Sequence, residues 1–365
     1  MTPPAGNAED DWLDANRYFL DLTHLDNRRV TGIERMSIEQ FGPDLIADAT
    51  ARPITTVRAR GRWSMLARQL VDLPQRMIVH RRATMLCPGF PPSIPLMTVA
   101  SSRVVACIHD LFPLTQSTTL NRFGRLYIAP TMRYCLRRGR RFIVFSETMR
   151  DELCGYVRPN ATIHLYRPFI RNVLELTAEA PTPTGDDDST IHVLSIGTVE
   201  PRKNYAQAAA ICRAAGELLG RPVVLDIVGR AGWGSVAEQL RADDVVRLHG
   251  YLDPTTMNRL VGRCHLFFYP TLAEGLGLPA LEAQYSGLPV LANDLPILRE
   301  TLATSAAFVD VTNVTAAARL LAALLSDRAQ LDRMRAASLA NLTRWNALAR
   351  QDRAALVGLL NGNWS

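Results

Sequence analysis

Short, mainly apolar runs constrain this chain more than any other feature. They include RYFLDLT (Arg17–Thr23), ATML (Ala83–Leu86), RVVACIHD (Arg103–Asp110), RFIVFS (Arg141–Ser146), IHVLSIG (Ile191–Gly197), PVVLDIVG (Pro222–Gly229), VVRLHG (Val245–Gly250), HLFFYP (His265–Pro270) and LPVLAN (Leu288–Asn293). None alternates strictly between apolar and polar residues, so none has a face to give to water. Such strands belong to parallel sheets covered on both sides. MIVH (Met77–His80) reads as one more of them. Helical patterns fall between the runs, as at Ile33, Met36, Ile38 and Phe41 and over Ala206–Leu219. Strand and helix in alternation give βαβ units, and ligands then bind at the carboxyl ends of the strands.

The stretch AEAPTPTGDDDST, residues 178–190, interrupts this pattern with prolines, a glycine and three aspartates. It reads as an exposed linker. Asp186, Asp187 and Asp188 are then solvated linker acids rather than a metal cluster. A chain of 365 residues suits two domains. The expected architecture is α/β, with two Rossmann-like doubly wound domains over residues 1–180 and 188–345 and a ligand cleft between them. No apolar run reaches the ~20 residues of a membrane span. The start, MTPPAGNAEDDWLD, has neither the basic nor the apolar part of a secretory signal. The six cysteines are scattered without a Cys-x-x-Cys pair, as free thiols in a reducing compartment would be. A cytoplasmic protein is expected.

Charge is unevenly placed. Residues 51–150 carry 17 Lys+Arg against 3 Asp+Glu, whereas residues 181–365 carry 17 against 18. The basic first half suits an anionic partner, whether a membrane surface, a phosphorylated acceptor or nucleic acid, or else it is a solvated arginine-rich surface. No nucleic-acid recognition motif accompanies it. Between Leu120 and Arg138, helical spacing puts Arg122, Arg125, Arg133 and Arg137 on one side and Leu120, Phe123, Tyr127 and Tyr134 on the other, with Pro130 as a kink. That stripe suits an anionic lipid surface or a polyprenyl-diphosphate acceptor as well as it suits solvent.

Of the 41 basic residues only Lys203 is a lysine. It stands beside Arg202 in SIGTVEPRKNY, at the carboxyl end of a predicted strand, where two adjacent cations can neutralise a diphosphate. In AEGLGLPALEAQYSGLPVLA, Pro279 fits the first position of a helix and Gly287 the residue after its end. Glu274 then lies in the loop before the helix and Glu282 about a turn into it. Glycines ahead of a helix start form an anion- and hydroxyl-binding cradle. Two carboxylates there repel phosphate but accept hydrogen bonds from polyols. A nucleotide sugar satisfies both demands; acids that merely complement the helix dipole are the plainer alternative. His109 ends a strand run and is either a site residue or a structural histidine. Thr31-Gly32, before a helical pattern, offers backbone N–H groups to a phosphate.

Glu274 and Glu282, in the form Glu-Gly-x-Gly-Leu-Pro-x-x-Glu, resemble the signature of glycosyltransferase family four, retaining enzymes of GT-B fold. The resemblance is tightest from Ser195 to Asn293. It implies that Arg202 and Lys203 meet the donor diphosphate and that Glu282 binds the ribose. It also implies that Glu274 and the backbone of Leu276, Gly277 and Leu278 hold the transferred sugar. His109 matches the family's first-domain histidine near the reacting sugar, and Gly32 its glycine turn near the β-phosphate, although a single glycine stands here where many relatives have more. The segment around Trp345 resembles the crossing back to the first domain, so the last helix, about 347–361, is expected to pack there. The implied reaction is a retaining transfer of a hexose, mannose from GDP-mannose being the best match, without metal or other cofactor. The acceptor would be a glycan or a polyprenyl-diphosphate-linked oligosaccharide, at the inner face of the cytoplasmic membrane. A sugar-nucleotide hydrolase or epimerase of the same fold, or a non-catalytic sugar-nucleotide-binding protein, stays open at this stage.

Overall fold

The computed structural model describes residues 17–25, 32–42, 46, 52–115, 124–177, 189–232 and 236–361. It divides into two units. The chain up to Phe169 together with the segment from Leu348 forms one, and Ile170–Ala347 the other. Each contains a six-stranded sheet in which every pairing is parallel.

In the first unit β1 (Tyr18–Leu22), β2 (Ile54–Arg58), β3 (Thr84–Cys87), β4 (Val104–Ile108), β5 (Arg141–Val144) and β6 (Thr162–Leu165) are arranged β2-β1-β3-β4-β5-β6. In the second, β7 (Ile191–Ile196), β8 (Val223–Val228), β9 (Val246–Gly250), β10 (Leu266–Tyr269), β11 (Val290–Asn293) and β12 (Ala306–Val309) are arranged β12-β11-β10-β7-β8-β9. Strands β1, β4, β8, β10 and β11 are buried at every residue, as their mainly apolar sequences require, with Asp21 in β1 and Asp226 in β8 buried among them.

Met77–His80 is not a strand. Met77–Val79 closes the helix Leu73–Val79, in which Leu73, Pro74 and Met77 are buried while Ile78 and Val79 are exposed. That is helical spacing, and packing of one face overrides the β preference of Ile and Val. Three strands escape a reading by apolar runs: ITTVR in β2, TIHL in β6 and AAFV in β12. Each is the edge strand of its sheet and only half buried, so its sequence is more polar or less bulky.

The units divide at Phe169/Ile170, ahead of the linker. Ile170 is tied into the second unit, its N–H donating to Asn346 Oδ1 at 2.8 Å and its carbonyl accepting from Tyr285 Oη at 2.8 Å. The helix Arg328–Leu360 begins in the second unit and continues into the first from Leu348. There Tyr18 Oη donates to the Leu360 carbonyl at 2.5 Å, and Arg167 donates to Asp352 from Nη1 at 2.9 Å and from its backbone N–H at 3.0 Å. Arg167 is buried. Asp352→Asn, which removes the charge, is therefore expected to cost the first unit roughly 2 kcal/mol, the worth of hydrogen bonds to a charged group. A lower denaturant midpoint for that unit checks this, and an unchanged midpoint would exclude the contact as a tether.

Candidate functional site

Two loops of the second unit meet at the carboxyl ends of adjacent strands β7 and β10. After β7, Pro201–Lys203 form one 3-10 turn, and Asn204, at φ 58°, redirects the chain into the helix Tyr205–Leu219. After β10, the chain runs from Tyr269 to Glu274 beside that turn, held by Leu272 N–H donating to the Arg202 carbonyl at 2.9 Å.

Glu274 Oε1 is the centre of the arrangement. It accepts from Lys203 Nζ at 2.5 Å, Tyr269 Oη at 2.8 Å and Thr271 Oγ1 at 3.1 Å, and Arg202 Nη1 lies 2.9 Å away. Lys203 Nζ also donates to Tyr269 Oη at 3.0 Å, and Arg202 Nη2 donates to Glu200 Oε1 at 2.7 Å. Lys203 is only 6% exposed. Burial alone would raise the Glu274 pKa, but the charges of Lys203 and Arg202 outweigh it and hold the carboxyl below the ordinary range. Burial likewise works against the Arg202 charge, and Glu274 and Glu200 reverse the effect. The Tyr269 phenol is pushed well up, by burial first and then by the Glu274 charge, so it stays a neutral donor. The result is a dehydrated group of two cations flanked by two carboxylates.

The helix Leu278–Ala283 follows, with Pro279 in its first turn and Glu282 buried on it at 7% exposure. A short 3-10 turn extends it to Ser286, and Gly287 ends the element at φ 70°. Gly277 stands at φ 86°, and a Cβ there would come within 2.7 Å of Leu298 Cδ2, so backbone alone fits at this approach.

Beside this group lies a cavity of about 190 Å³. Its lining includes Gly197 and Thr198 after β7, Gly229 and Arg230 after β8, and Gly250–Leu252 after β9. Gly197 links cavity and charges, since a Cβ on it would lie 3.7 Å from Lys203 Nζ. The floor is closed by backbone: a Cβ on Gly229 would sit 2.0 Å from the Gly197 carbonyl oxygen.

His109 and Gly32 belong to the first unit. Gly32 opens the helix Gly32–Phe41; Thr31, Arg122 and Asp186–Asp188 lie outside the described residues. His109 follows β4, its Nε2 lies 2.6 Å from the Pro88 carbonyl, and its ring stacks on Phe145 at 4.6 Å. A carbonyl only accepts, so Nε2 carries the proton and Nδ1, buried and without a hydrogen-bond partner among the described residues, keeps its lone pair. Burial lowers the His109 pKa to about 4. The ring is therefore neutral at pH 7, which suits an acceptor and not an acid.

Reading the sequence missed His24, Tyr269, Thr271 and the cavity wall at Gly250–Leu252. His24 follows β1 as His109 follows β4, is buried against Gly89, and has its pKa lowered to about 4 by burial and by His109. The rule that singled out His109, a polar residue just after a buried strand, would have found both His24 and Thr271. Among the described residues no group of three His, Cys, Asp or Glu is placed to hold a metal.

Solved structures share this architecture. Sucrose-phosphate synthase from Thermosynechococcus elongatus matches over 94% of this chain and 99% of its own, with a TM-score of 0.69 at 17% identity. Anabaena HepE, solved with UDP and glucose, matches over 94% of this chain and 100% of its own, with a TM-score of 0.65 at 14% identity. The fold is thus GT-B, the architecture of these glycosyltransferases. Residues 178–339 match the family model described as Glycosyl transferases group 1, so the chain carries a domain of that family. The serotype-specific mannosyltransferase WbdA of Escherichia coli is 27% identical over 242 residues, which cover 59% of this chain and 29% of that protein. The chain therefore spans less than a third of the length of this relative.

The lowered Glu274 pKa has a definite sign. A carboxyl held below its ordinary 4.5 in the folded protein contributes stability that is complete above that value and is lost as pH falls through the lowered one. Glu274→Gln is expected to be less stable than the parent at neutral pH, with the difference shrinking on acidification. Acid titrations of the two proteins followed by circular dichroism measure this, and parallel curves would count against the ion-pair description.

Proposed function

We propose that this chain is a retaining glycosyltransferase that moves a hexose from a nucleoside-diphosphate donor to a glycan or lipid-linked oligosaccharide. The observation that carries the reading is the continuity, through Gly197, between a nucleoside-sized cavity and the buried Lys203, with the half-buried Arg202 beside it. In this reading the nucleoside occupies the cavity with its ribose on Glu282, the diphosphate draws on Arg202 and Lys203, and Glu274 accepts from the hydroxyls of the sugar. The backbone of Leu276, Gly277 and Leu278 lies along that sugar. HepE, solved with UDP and glucose, supports a nucleotide-sugar ligand for the fold.

The bond between the anomeric carbon and the phosphate oxygen breaks as the acceptor oxygen bonds to the same face, and the acceptor proton passes to the leaving phosphate. Charge grows on the diphosphate during this step. Arg202 and Lys203 are fixed by Glu200, Glu274 and Tyr269 before the reaction, so they meet that charge without reorganising. They take the part a metal plays elsewhere. Lys203→Ala is expected to lower turnover by roughly 10² or more, as for loss of one charge-stabilising donor. Near-normal turnover would overturn the assignment.

The similarity to WbdA favours mannose, and the reading takes GDP-mannose as donor. A thermal-shift screen against GDP, UDP, dTDP and ADP sugars is expected to show the largest stabilisation with GDP-mannose. Selective stabilisation by another nucleotide sugar would replace it.

The acceptor end of the reading places the first unit on an anionic membrane. On the continuous helical segment 62–79, Trp63 is 82% exposed, and Leu70, Val71, Ile78 and Val79 are exposed with it. Arg62, Arg81 and Arg82 are exposed on or beside this segment, as are Arg125, Arg133 and Arg137 on the run 124–138. Apolar and cationic side chains presented together suit a lipid headgroup layer. No described helix is long and apolar enough to cross a membrane. Binding to phosphatidylglycerol vesicles is expected to exceed binding to phosphatidylcholine, to weaken with salt, and to fall in Trp63→Ser and in Arg133→Ser/Arg137→Ser. Binding insensitive to both salt and these substitutions would rule the surface out.

A further inference from the structure

The second unit holds a buried polar cluster that the proposed transfer does not use. Asp226, in the interior of β8, is 0% exposed. Its Oδ2 accepts from His192 Nδ1 of β7 at 2.7 Å, and its Oδ1 accepts from His249 Nε2 of β9 at 2.6 Å. Burial would raise the Asp226 pKa, but the bonds and charges of His192 and His249 hold it below the ordinary value. Cys264, whose thiol is pushed up by burial and by the Asp226 charge, and His265, whose Nδ1 accepts from the His192 N–H at 3.2 Å, complete the surroundings. Both oxygens of a carboxylate in the middle of a sheet are thus committed to one imidazole from each neighbouring strand. Displacing either ring would leave a buried acceptor without its partner, so the three side chains lock three strands at one level.

His249 is also where β9 departs from regular pairing. Asp226 faces Arg247 and Ile227 faces Leu248, but Val228 faces Gly250, so His249 is the extra residue of a bulge. Bulges commonly re-aim the chain beside functional sites. Here the residue after the bulge, Gly250, accepts from Gly229 N–H at 2.8 Å, and Gly250, Tyr251 and Leu252 form one wall of the cavity next to Lys203. The ring that the bulge turns onto Asp226 therefore anchors the chain immediately before that wall.

We infer that Asp226 and His249 are positioning residues for the nucleoside half of the donor, fixing the Gly250–Leu252 wall through the His249–Asp226 hydrogen bond, with His192 holding Asp226 from the other side. The inference rests on the proposed placement of the nucleoside in this cavity. Neither residue touches the diphosphate group, so their loss should weaken nucleotide binding while sparing the chemical step. Calorimetric titration with UDP and GDP, together with donor kinetics, tests it. For whichever nucleotide the parent binds, His249→Ala is expected to raise Kd and donor KM about tenfold with kcat within about twofold. His249→Gln, whose amide nitrogen can donate to the same oxygen, should return Kd to within about threefold of the parent, where a merely space-filling role would give no such rescue. An unchanged Kd in His249→Ala, or a Gln variant no better than Ala, overturns the inference. If His249→Ala loses its cooperative thermal transition, Asp226→Asn takes its place, and an unchanged Kd there overturns it equally. Should the parent bind none of UDP, GDP, dTDP and ADP, the transferase reading fails, and the lock is judged on amide exchange at Tyr251 and Leu252. Faster exchange in His249→Ala than in the parent upholds it, and equal exchange overturns it.

Discussion

A strand that is apolar on both faces has to be covered on both, and most of what this chain does follows from that requirement. Covering both faces calls for helices between successive strands, which makes the pairings parallel and leaves all the strands of a sheet ending at the same edge. Side chains along the strands are spent on the core. Residues at and just past the carboxyl ends of the strands are the ones best placed to meet a ligand. Arg202, Lys203, Thr271 and Glu274 occupy such positions after β7 and β10, Tyr269 ends β10 itself, and His24 and His109 follow β1 and β4. The candidate site residues gather at those ends, with Glu282 on the helix that follows β10.

Within the second unit the confinement has an electrostatic effect. Taking Lys203 and Glu274 out of water is unfavourable for each, and their mutual attraction is also less screened there than at a surface. Tyr269 and Thr271 donate to the same oxygen that Lys203 meets, which helps the carboxylate stay ionised where it is buried. Asp226 solves the same problem with two imidazoles in place of a lysine and an arginine. Both arrangements tie together neighbouring strands, one at the sheet edge and one in its interior.

How much of this could be read from sequence depended on whether a residue's neighbours were local. The central strands were legible because burial on both faces leaves an unbroken apolar run, whereas β2, β6 and β12 escaped as half-buried edges. MIVH misled because four residues are too few to separate a strand from the apolar end of a helix. Lys203 stood out as a lone lysine and Glu274 by its glycines, but their pairing joins residues 71 apart and belongs to the fold alone. The cavity wall after β9 was invisible for the same reason, since it depends on a bulge and on a contact with Asp226. The resemblance to a known family supplied roles for Glu282 and His109 that spacing by itself left open.

The near-contact of Gly229 with the Gly197 carbonyl has a consequence for how the cavity could be altered. A Cβ on Gly229 would strike the Gly197 peptide and one on Gly197 would press on Tyr205 Oη, so neither position takes a side chain without moving its neighbours. In the proposed placement of the nucleoside, discrimination between bases then falls to lining side chains such as Arg230, Tyr251 and Leu252. On that reading, exchange at a few of these positions would shift nucleotide preference while Arg202, Lys203 and Glu274 stay as they are.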